Sequence, residues 1–437
     1  MRNSEDTIYA PSTAVGGAIA VLRVSGPRAK ETARIFDRGF ASEPGMMRFV
    51  RVQDDKEPID DAMAVYFSAP ASYTGEDMVE IDCHGGHQTV QRILGLLSGL
   101  GFRPAEGGEF TRRAFLNGKM DLAQAEAVMD IITADAEQSR KAALNQLHGS
   151  VSRAIHDVED ILLDALSGID AAIDYPDEAE EDCIARLPEQ LGAGRSKAER
   201  LLADGRRGRV LRDGLRVVIL GRPNTGKSSL MNALAGFERA IVTDIAGTTR
   251  DVLDERLSFD GVPVRLIDTA GIREATDRAE QIGVDRALDE MRRADVQLVL
   301  LDGSAPLTAE DKTLIETTEN GIPRILVVNK CDLPRQTDYA GAISISAKTG
   351  QGLEELKREV LRLAAPQDAD CNAITNERHL HALEQACAAL CSAEQAEELD
   401  CKATDIRAAL QALGSITGTD VDATVIDRIF ERFCVGK

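Results

Sequence analysis

The pattern of apolar and polar positions along the chain changes its period several times. Near the amino terminus, short apolar runs bounded by turn residues predict strands at "GAIAVLRVSG", "DAMAVYFSAP" and "DMVEIDCHGG". The segment that follows, "HQTVQRILGLLSGLG", has the spacing of a helix. Residues 1–118 are therefore predicted to form an α+β domain.

The rest of the chain predicts helices on both sides of a second set of strands. Over 119–213, Ala, Leu, Glu and Gln recur at helical spacing. Over 214–368 the runs "LRVVIL", "PVRLID", "VQLVLLD" and "RILVVN" alternate with helical segments, as buried parallel strands do. Helical spacing returns over 369–437. The predicted fold class is multidomain α/β, with an α/β domain inserted into a discontinuous helical domain.

Composition and charge limit the function. A length of 437 residues suits roughly three domains of about 150 residues each. A net charge of −22 argues against wrapping nucleic acid by charge alone, so RNA binding would need a partner or a local basic patch. The candidate patches, Arg206-Arg207-Gly208-Arg209 and Arg112-Arg113, are also typical of solvated faces. The eight cysteines lie far apart and no apolar run reaches about 18 residues, so we expect a cytoplasmic protein with no integral membrane association.

A phosphate-binding motif opens the inserted domain. The segment from Gly221 to Ser228 matches G-x-x-x-x-G-K-[ST] and lies between a predicted strand and a predicted helix. Glycines let the backbone N–H groups face phosphate oxygens at a helix amino terminus. Lys227 supplies a charge for the β- and γ-phosphates, and the Ser228 hydroxyl suits Mg²⁺. The alternative is a glycine-rich turn with a chance lysine.

Three further segments follow in the order that a GTP site requires. They are Asp268-Thr269-Ala270-Gly271, Asn329-Lys330-Cys331-Asp332 and Ser346-Ala347-Lys348. The Asp268 carboxylate would reach Mg²⁺ through water, and the Gly271 N–H would contact the γ-phosphate. Asp332 can accept two hydrogen bonds that guanine offers and adenine does not, while Ser346-Ala347-Lys348 would close over the base. Together these segments resemble the GTPase superfamily and indicate a Ras-like P-loop domain that binds GTP.

The position that orients the attacking water in Ras-like GTPases is Ile272 here, so another residue must hold the water. Arg250 and Arg273 lie nearby in the sequence, but no motif identifies either as an arginine finger. The positive charge that such a finger supplies therefore needs another source.

Longer stretches carry a resemblance that covers nearly the whole chain. They are "VLRVSG", "SYTGEDMVEIDCHGGH", "GEFTRRAFLNGKMDLAQAEAV", "AAIDYPDE", "GRPNTGKSSLMNAL", "VTDIAGTTRDVLDE", "DTAGIREATDRAEQIGVDRA" and the terminal "FCVGK". In this combination the chain resembles the tRNA-modification GTPase family MnmE, also called TrmE. The resemblance implies a folate-binding domain over 1–118, a helical domain over 119–213 and 369–437, and a G domain over 214–368.

The same resemblance implies a K⁺-activated GTPase whose G domains dimerise around the nucleotide. The cation replaces an arginine finger, and its implied ligands are Asn224, Thr243, Ile245 and Thr248, in keeping with the oxygen ligands that hard cations prefer. Mg²⁺ would be bound by Ser228 and Thr249. The catalytic, water-orienting residue would be Glu280, which by itself is typical of a solvated helix carboxylate. The implied GTP contacts are Asn224, Thr225, Gly226, Lys227, Ser228, Ser229, Thr243, Asp244, Ile245, Ala246, Gly247, Thr248, Thr249, Asp268, Thr269, Ala270, Gly271, Asn329, Lys330, Asp332, Ser346, Ala347 and Lys348.

The resemblance also implies the modification chemistry. A tetrahydrofolate derivative, 5-formyl- or methylene-tetrahydrofolate, would bind to Arg23, Glu80, Lys119 and Lys437, each of which alone is typical of a surface charge. The chain would act as a homodimer in a heterotetramer with the flavoprotein MnmG, which carries FAD. The complex would add a carboxymethylaminomethyl or aminomethyl group at C5 of the wobble uridine U34 of certain tRNAs. Cys434 is a candidate functional thiol, with a buried small residue as the alternative.

Other interpretations of the residues stay open. A ribosome-assembly GTPase would be expected to append a basic RNA-binding domain, whereas 369–437 is not markedly basic. A membrane-associated GTPase could be prenylated at Cys434, although Gly436-Lys437 does not fit the usual signal. Apolar residues at positions 425, 426, 429, 430 and 433 of "TVIDRIFERF" instead predict a helix that buries this face and fixes the carboxy-terminal tail. The run Cys83-His84-Gly85-Gly86-His87 lacks the paired spacing of a zinc site.

Overall fold

The computed structural model divides into two compact units. The first contains Met1–Met129 and Gly414–Lys437, and the second contains Asp130–Leu413. The structure describes residues 6–37, 43–55, 57–134, 136–174, 181–237, 254–268, 294–318, 321–337, 339–364, 374–431 and 433–436.

Among the described residues, the seven strands predicted from the sequence are present, together with five that were not predicted. The strands are β1 (Ile8–Pro11), β2 (Ile19–Ser25), β3 (Arg48–Asp54), β4 (Glu57–Phe67), β5 (Met78–His84), β6 (Arg103–Pro104), β7 (Leu215–Leu220), β8 (Asp254–Phe259), β9 (Val262–Asp268), β10 (Val296–Asp302), β11 (Arg324–Asn329) and β12 (Ile343–Ser344). The helices are α1 (His87–Gly99), α2 (Glu109–Leu116), α3 (Leu122–Thr133), α4 (Glu137–Leu147), α5 (Ser150–Asp174), α6 (Glu181–Asp213), α7 (Lys227–Phe237), α8 (Ala309–Thr317), α9 (Leu353–Ala364), α10 (Glu377–Gln395), α11 (Leu399–Thr417) and α12 (Ala423–Phe430). A 3-10 helix covers Ala29–Ile35.

The first unit contains a six-stranded sheet in the order β3-β4-β5-β2-β1-β6. The β1–β6 pair is parallel, and the other described pairs of this sheet are antiparallel. Alternation along β2 and β5 places Leu22 and Ile81 in a core that also includes Ile93 of α1. The opposite face of the same two strands carries Arg23 directly across from Glu80. One sheet face therefore builds the core, and the other presents charged groups.

The predicted tail helix is present and packs within the first unit. The rings of Phe430 and Phe433 are buried with their centroids 5.1 Å apart, and Leu122 belongs to the same apolar cluster. Val425 was predicted on the buried face but is 40% exposed. Because α12 ends at Phe430, Phe433 reaches the core from the turn after the helix.

The second unit contains a six-stranded sheet in the order β12-β11-β10-β7-β9-β8. Its first five strands are parallel, and β8 pairs antiparallel with β9 at the edge. Val296–Leu301 of β10 is buried throughout, because apolar clusters cover both of its faces. The carboxyl ends of parallel strands meet at one edge, so the loops after β7, β9, β10 and β11 share that edge.

Helices before and after this sheet pack together in the second unit. Helix α6 packs against α5 and α10. Nε of Arg195 on α6 donates to Oε1 of Glu394 on α10 over 3.0 Å. A Cβ atom at Gly205 would lie 2.5 Å from Cδ2 of Leu380, so these helices approach closely. The predicted fold class is confirmed, whereas the predicted boundaries at 118, 213 and 368 stay a prediction.

Within the described ranges, no helix has the length and apolar character needed to cross a bilayer.

Candidate functional sites

The loop after β7 has the backbone that phosphate binding needs. Asn224 and Gly226 have positive φ angles of 65° and 98°. A Cβ atom at Gly226 would collide with the side-chain nitrogen of Asn329, so only glycine fits there. The buried Thr225 donates its hydroxyl hydrogen to the Arg222 carbonyl oxygen over 2.9 Å. The loop therefore curls tightly before the amino terminus of α7, where N–H groups favour an anion.

Lys227 lies against the inside of this loop. Its side chain is buried, and Nζ donates to the carbonyl oxygens of Gly221 and Arg222, each over 2.9 Å. Ser228 and Ser229 follow on the first turn of α7 and are exposed. These two hydrogen bonds go to neutral acceptors, and a phosphate oxygen would accept a stronger, charge-assisted hydrogen bond.

Asn329 connects the phosphate loop to the predicted guanine site. This buried residue ends β11, and its Nδ2 donates to the Thr225 carbonyl oxygen over 2.9 Å. Its Oδ1 accepts a hydrogen bond from the N–H of Ala347 over 3.0 Å. Because one side chain bonds both segments, the structure brings the predicted phosphate and base residues into one site.

Asp332 is exposed at the outer end of this site. Its Oδ1 accepts a hydrogen bond from the Ser346 hydroxyl over 2.6 Å. That bond, together with a smaller effect of the nearby Lys348 charge, holds the pKa of the Asp332 carboxyl below its usual range. The group is therefore an ionised acceptor at neutral pH, the form that guanine N–H donors require.

The remaining predicted residues of the nucleotide site lie at or beyond the edges of the described chain. Asp268 ends β9 and pairs in register with Ile219 of β7, so its backbone is at the same sheet edge as the phosphate loop. Outside the described residues are Thr243, Asp244, Ile245, Ala246, Gly247, Thr248, Thr249, Thr269, Ala270, Gly271 and Glu280.

An ion pair that was not predicted from the sequence fixes the phosphate loop. Nε of Arg222 donates to Oδ1 of Asp311 over 2.8 Å, and Asp311 is 2% exposed. Oδ2 of Asp311 accepts hydrogen bonds from the N–H and hydroxyl of Thr308, which forms the capping box of α8. Burial raises the pKa of Asp311, but these hydrogen bonds outweigh burial and lower it. The stretch "LTAED" carries the capping signal, yet nothing in it identifies Arg222 as a partner.

In the first unit, the carboxy-terminal tail, residues 433–436, lies against Gly107 and Gly108. The N–H of Gly108 donates to the Cys434 carbonyl oxygen over 3.2 Å, and Val435 forms an antiparallel bridge with Gly107. A Cβ atom at Gly107 would lie 2.7 Å from the Phe433 carbonyl oxygen. The adjacent glycines in "EGGEF" were a signal for such close backbone approach, but the sequence does not say which segment approaches.

Arg23 and Glu80 form a charged pair on the same unit. Nε and Nη2 of Arg23 donate to Oε1 of Glu80 over 2.9 and 2.7 Å. The guanidinium carbon lies 5.1 Å from the ring centroid of Tyr73 and 5.6 Å from that of Phe110. The pair is therefore flanked by aromatic surface, which suits a planar ligand.

The end of the tail reaches this pair. The Gly436 carbonyl oxygen accepts a hydrogen bond from the Ser12 hydroxyl over 3.2 Å and a longer one from Nη1 of Arg23 over 3.5 Å. The φ angle of Gly436 is 95°, and a Cβ atom there would collide with the Pro11 carbonyl oxygen. The structure thus brings Arg23, Glu80 and the tail together.

The other predicted residues of this region have different positions. Nζ of Lys119 donates to the carbonyl oxygen of Pro70, in the loop that also carries Tyr73. Cys434 is exposed, so its interpretation as a buried small residue is wrong, because the tail is docked through its backbone. Lys437 lies outside the described residues.

Two weaker sequence signals are accounted for by burial. Cys83 is buried, and burial raises the pKa of its thiol to about 11. Among the described residues, no group of three His, Cys, Asp or Glu could hold a metal ion. Arg113 was considered as part of a basic patch but is buried and paired with Glu76 and Glu109.

Comparisons with known proteins cover nearly the whole chain. The family model "GTP-binding protein TrmE N-terminus" matches residues 7–119, and the model "MnmE helical domain" matches residues 122–434. The chain is 41% identical to the tRNA modification GTPase MnmE of Natranaerobius thermophilus, over 99% of this chain and 100% of the relative. The chain belongs to the MnmE (TrmE) family.

A second MnmE relative, from Azoarcus sp., is 43% identical over 99% of this chain and 98% of its own length. Among solved structures, the G domain of the T. maritima FeoB iron transporter matches 34% of this chain and 98% of that chain. Its sequence identity is 28% and its TM-score is 0.27.

Proposed function

We propose that this member of the MnmE family hydrolyses GTP and that hydrolysis drives modification of the wobble uridine of certain tRNAs. The observation that carries the GTPase part is the Asn329 side chain, which bonds both the phosphate loop and the segment beside the base site. Relatives named tRNA modification GTPase MnmE match this chain over 99% of its length, which supports the tRNA part.

The phosphate loop would bind the β- and γ-phosphates through its N–H groups and Lys227. The lysine exchanges two neutral carbonyl acceptors for charged phosphate oxygens, a favourable exchange in a buried position. Arg222, by contrast, already donates from Nε to the buried Asp311. We therefore assign the phosphate charge to Lys227 and a supporting role to Arg222.

The base would bind between Asp332 and the segment Ser346-Ala347-Lys348. Hydrogen bonds from the N1–H and exocyclic amine of guanine would reach the Asp332 carboxylate, which Ser346 already orients. Adenine offers no such pair of donors and would leave the carboxylate unpaired, so we expect GTP rather than ATP as the substrate.

Mg²⁺ and K⁺ are part of the proposal, and the described oxygen donors fit them. Ser228 presents an exposed hydroxyl for Mg²⁺, with Thr249 as a proposed second ligand. Asn224 presents an exposed amide oxygen for K⁺. The other proposed K⁺ ligands are Thr243, Ile245 and Thr248. Bound cations would supply positive charge beside the phosphates.

Glu280 is proposed to position the attacking water, since Ile272 cannot do so. Glu280→Ala is expected to slow GTP hydrolysis at least about 100-fold while GTP affinity stays nearly unchanged, because a water-positioning group acts mainly in the transition state. Single-turnover hydrolysis and nucleotide titration measure the two quantities separately. Unchanged turnover would remove Glu280 from the mechanism.

The first unit is proposed to bind a tetrahydrofolate derivative through Arg23, Glu80, Lys119 and Lys437. Arg23 occupies Oε1 of Glu80, while Oε2 receives no hydrogen bond from the described residues and can accept one from a pterin ring. Folate would supply the one-carbon unit. We further propose a homodimer that works in the cytoplasm with the flavoprotein MnmG and its FAD.

Two experiments test the proposal. The first compares GTP hydrolysis by the purified chain in K⁺ and in Na⁺ at equal ionic strength; K⁺ is expected to accelerate it, and equal rates would overturn the K⁺ assignment. The second is nucleoside analysis of tRNA from cells that lack the protein. Loss of the C5 modification at the wobble uridine is expected, and intact modification would refute the tRNA assignment.

A further inference from the structure

A carboxylate outside the predicted motifs contacts the guanine loop, the segment Asn329–Asp332. Asp302 is the last residue of β10 and lies directly across from Asn329 of β11. Its Oδ2 accepts a hydrogen bond from the Lys330 ammonium over 2.6 Å. The side chains of Lys330 and Asp302 are 30% and 16% exposed, so water screens this pair less than it screens a surface ion pair.

Ser304 binds the other oxygen of the same carboxylate. Its N–H and its hydroxyl donate to Oδ1 of Asp302 over 2.9 and 2.6 Å. Burial alone would raise the pKa of Asp302, but the hydrogen bonds from Lys330 and Ser304 outweigh burial and lower it. The carboxylate is therefore ionised at neutral pH, and each of its oxygens has a fixed partner.

The backbone of Lys330, the residue that Asp302 contacts, has an unusual conformation. Its φ angle is 66°, in the left-handed region that residues other than glycine rarely adopt and that surrounding contacts must stabilise. The N–H of Gly303 donates to the Asn329 carbonyl oxygen over 2.9 Å, so the end of β10 also bonds the backbone just before Lys330. Asp332, the proposed guanine acceptor, follows two residues later in the chain.

We propose that Asp302, oriented by Ser304, is a positioning residue for guanine recognition. It holds the Lys330 side chain and thereby the left-handed backbone that directs Asp332 toward the base. Without the Asp302 charge, the Lys330 ammonium gains more by moving into water, and the loop loses the contact that opposes relaxation of its backbone. This inference rests on the proposed function, because it assumes that Asp332 binds guanine.

Equilibrium titration of the full chain with a fluorescent GDP, and competition with unlabelled GDP and IDP, tests the proposal. Asp302→Asn keeps the side-chain shape and removes the charge, so it is expected to weaken GDP binding about fivefold to tenfold. IDP lacks the exocyclic amine of guanine. Because the variant displaces Asp332, its preference for GDP over IDP should also shrink, which a general loss of stability would not cause.

Asp295→Asn is the matched control. Asp295 immediately precedes the same strand at its opposite end, where its Oδ2 accepts a hydrogen bond from the N–H of Arg216 over 2.9 Å. This change should leave both the GDP affinity and the GDP-to-IDP ratio unchanged. Ser304→Ala should weaken GDP binding by a smaller factor, about twofold to threefold, because it removes one of the two hydrogen bonds to Oδ1 of Asp302 and keeps the charge.

A double-mutant cycle decides whether Asp302 acts through Lys330. Lys330→Met combined with Asp302→Asn should bind GDP no more weakly than Lys330→Met alone, because both changes remove the same interaction. Additive losses would overturn the proposal, as would wild-type affinity and wild-type GDP-to-IDP preference in Asp302→Asn. A wild-type chain that failed to bind GDP would instead overturn the proposed function itself, and with it this inference.

Discussion

Both compact units contain a six-stranded sheet, but the residues of the two candidate sites are brought together in different ways. In the second unit, the phosphate and guanine loops follow β7 and β11, two parallel strands whose carboxyl ends lie at one edge. In the first unit, Arg23 contacts the tail at Gly436, 413 positions later in the chain. One site follows from local motifs and strand topology, whereas the other depends on a long-range contact.

The difference also appears in how each site is stabilised. The nucleotide loops are fixed by side-chain bonds, such as those of Asn329 and Asp311, at the edge of a sheet that is buried on both faces. The tail is fixed mainly through its backbone, which lies too close to Gly107 and Gly108 for larger residues at those two positions. Gly436 in turn lies too close to Pro11 for a larger residue at position 436. Side-chain changes should therefore disrupt the nucleotide site most, whereas backbone changes should disrupt the docking of the tail most.

The largest expected effect is in the second unit. Lys227→Ala is expected to reduce GTP hydrolysis at least about 100-fold, because the loop loses its charged contact to the phosphates in the transition state. Phosphate release at saturating GTP measures this effect, and Lys312→Ala, an exposed lysine of α8, is the control. Hydrolysis within a few-fold of the wild-type rate would contradict the assignment of Lys227.

A backbone change should disrupt the tail while sparing the nucleotide site. Gly436→Ala places a Cβ atom against the Pro11 carbonyl oxygen at a positive φ angle, a strain of about 2 kcal/mol. Carboxypeptidase should therefore digest the tail at least about tenfold faster, with GTP hydrolysis unchanged. Gly99→Ala, where an added Cβ atom meets nothing within 4 Å, is the control. Equal digestion rates would show that the glycine is not required for docking.

The smallest expected effect is a pH dependence of the first unit. Burial raises the pKa of Glu109, but hydrogen bonds led by that from Arg103 outweigh burial and lower it. The folded pKa is thus below the unfolded one, so this stabilisation is present above about pH 4.3 and is lost as the pH falls through the folded pKa. Glu109→Gln should lower Tm by about 2 to 4 °C at pH 7 and by less in acid. An unchanged difference between pH 7 and pH 3 would contradict this sign; Glu106→Gln is the exposed control.

Local patterns predicted the second unit well. The runs "VQLVLLD" and "RILVVN" coincide with β10 and β11, because buried parallel strands are short apolar runs with abrupt polar ends. The motif residues Thr225, Asn329 and Ala347 also meet as expected. By contrast, the contact of Asp302 with Lys330 belongs to no motif, since it depends on which strands become neighbours.

The first unit shows what local patterns leave out. Strands β2, β4 and β5 of its sheet were predicted, whereas β1, β3 and β6 were not. The docking of the tail at Gly108 likewise joins segments that are far apart in sequence. Val425 illustrates the same limit, because helical spacing assigned it to a buried face whereas α12 turns its other apolar residues inward. Burial of a short helix depends on its partner, which spacing alone does not identify.

Nucleoside analysis of tRNA from cells lacking the native protein, complemented with variants, tests the central claim that this chain is a tRNA-modifying GTPase with two separable sites. The wild-type chain is expected to restore the wobble modification. Neither Lys227→Ala nor a chain that ends at Phe433 should restore it, although the shortened chain should hydrolyse GTP at the wild-type rate once purified. Full modification by either variant, or loss of GTP hydrolysis in the shortened chain, would contradict the account.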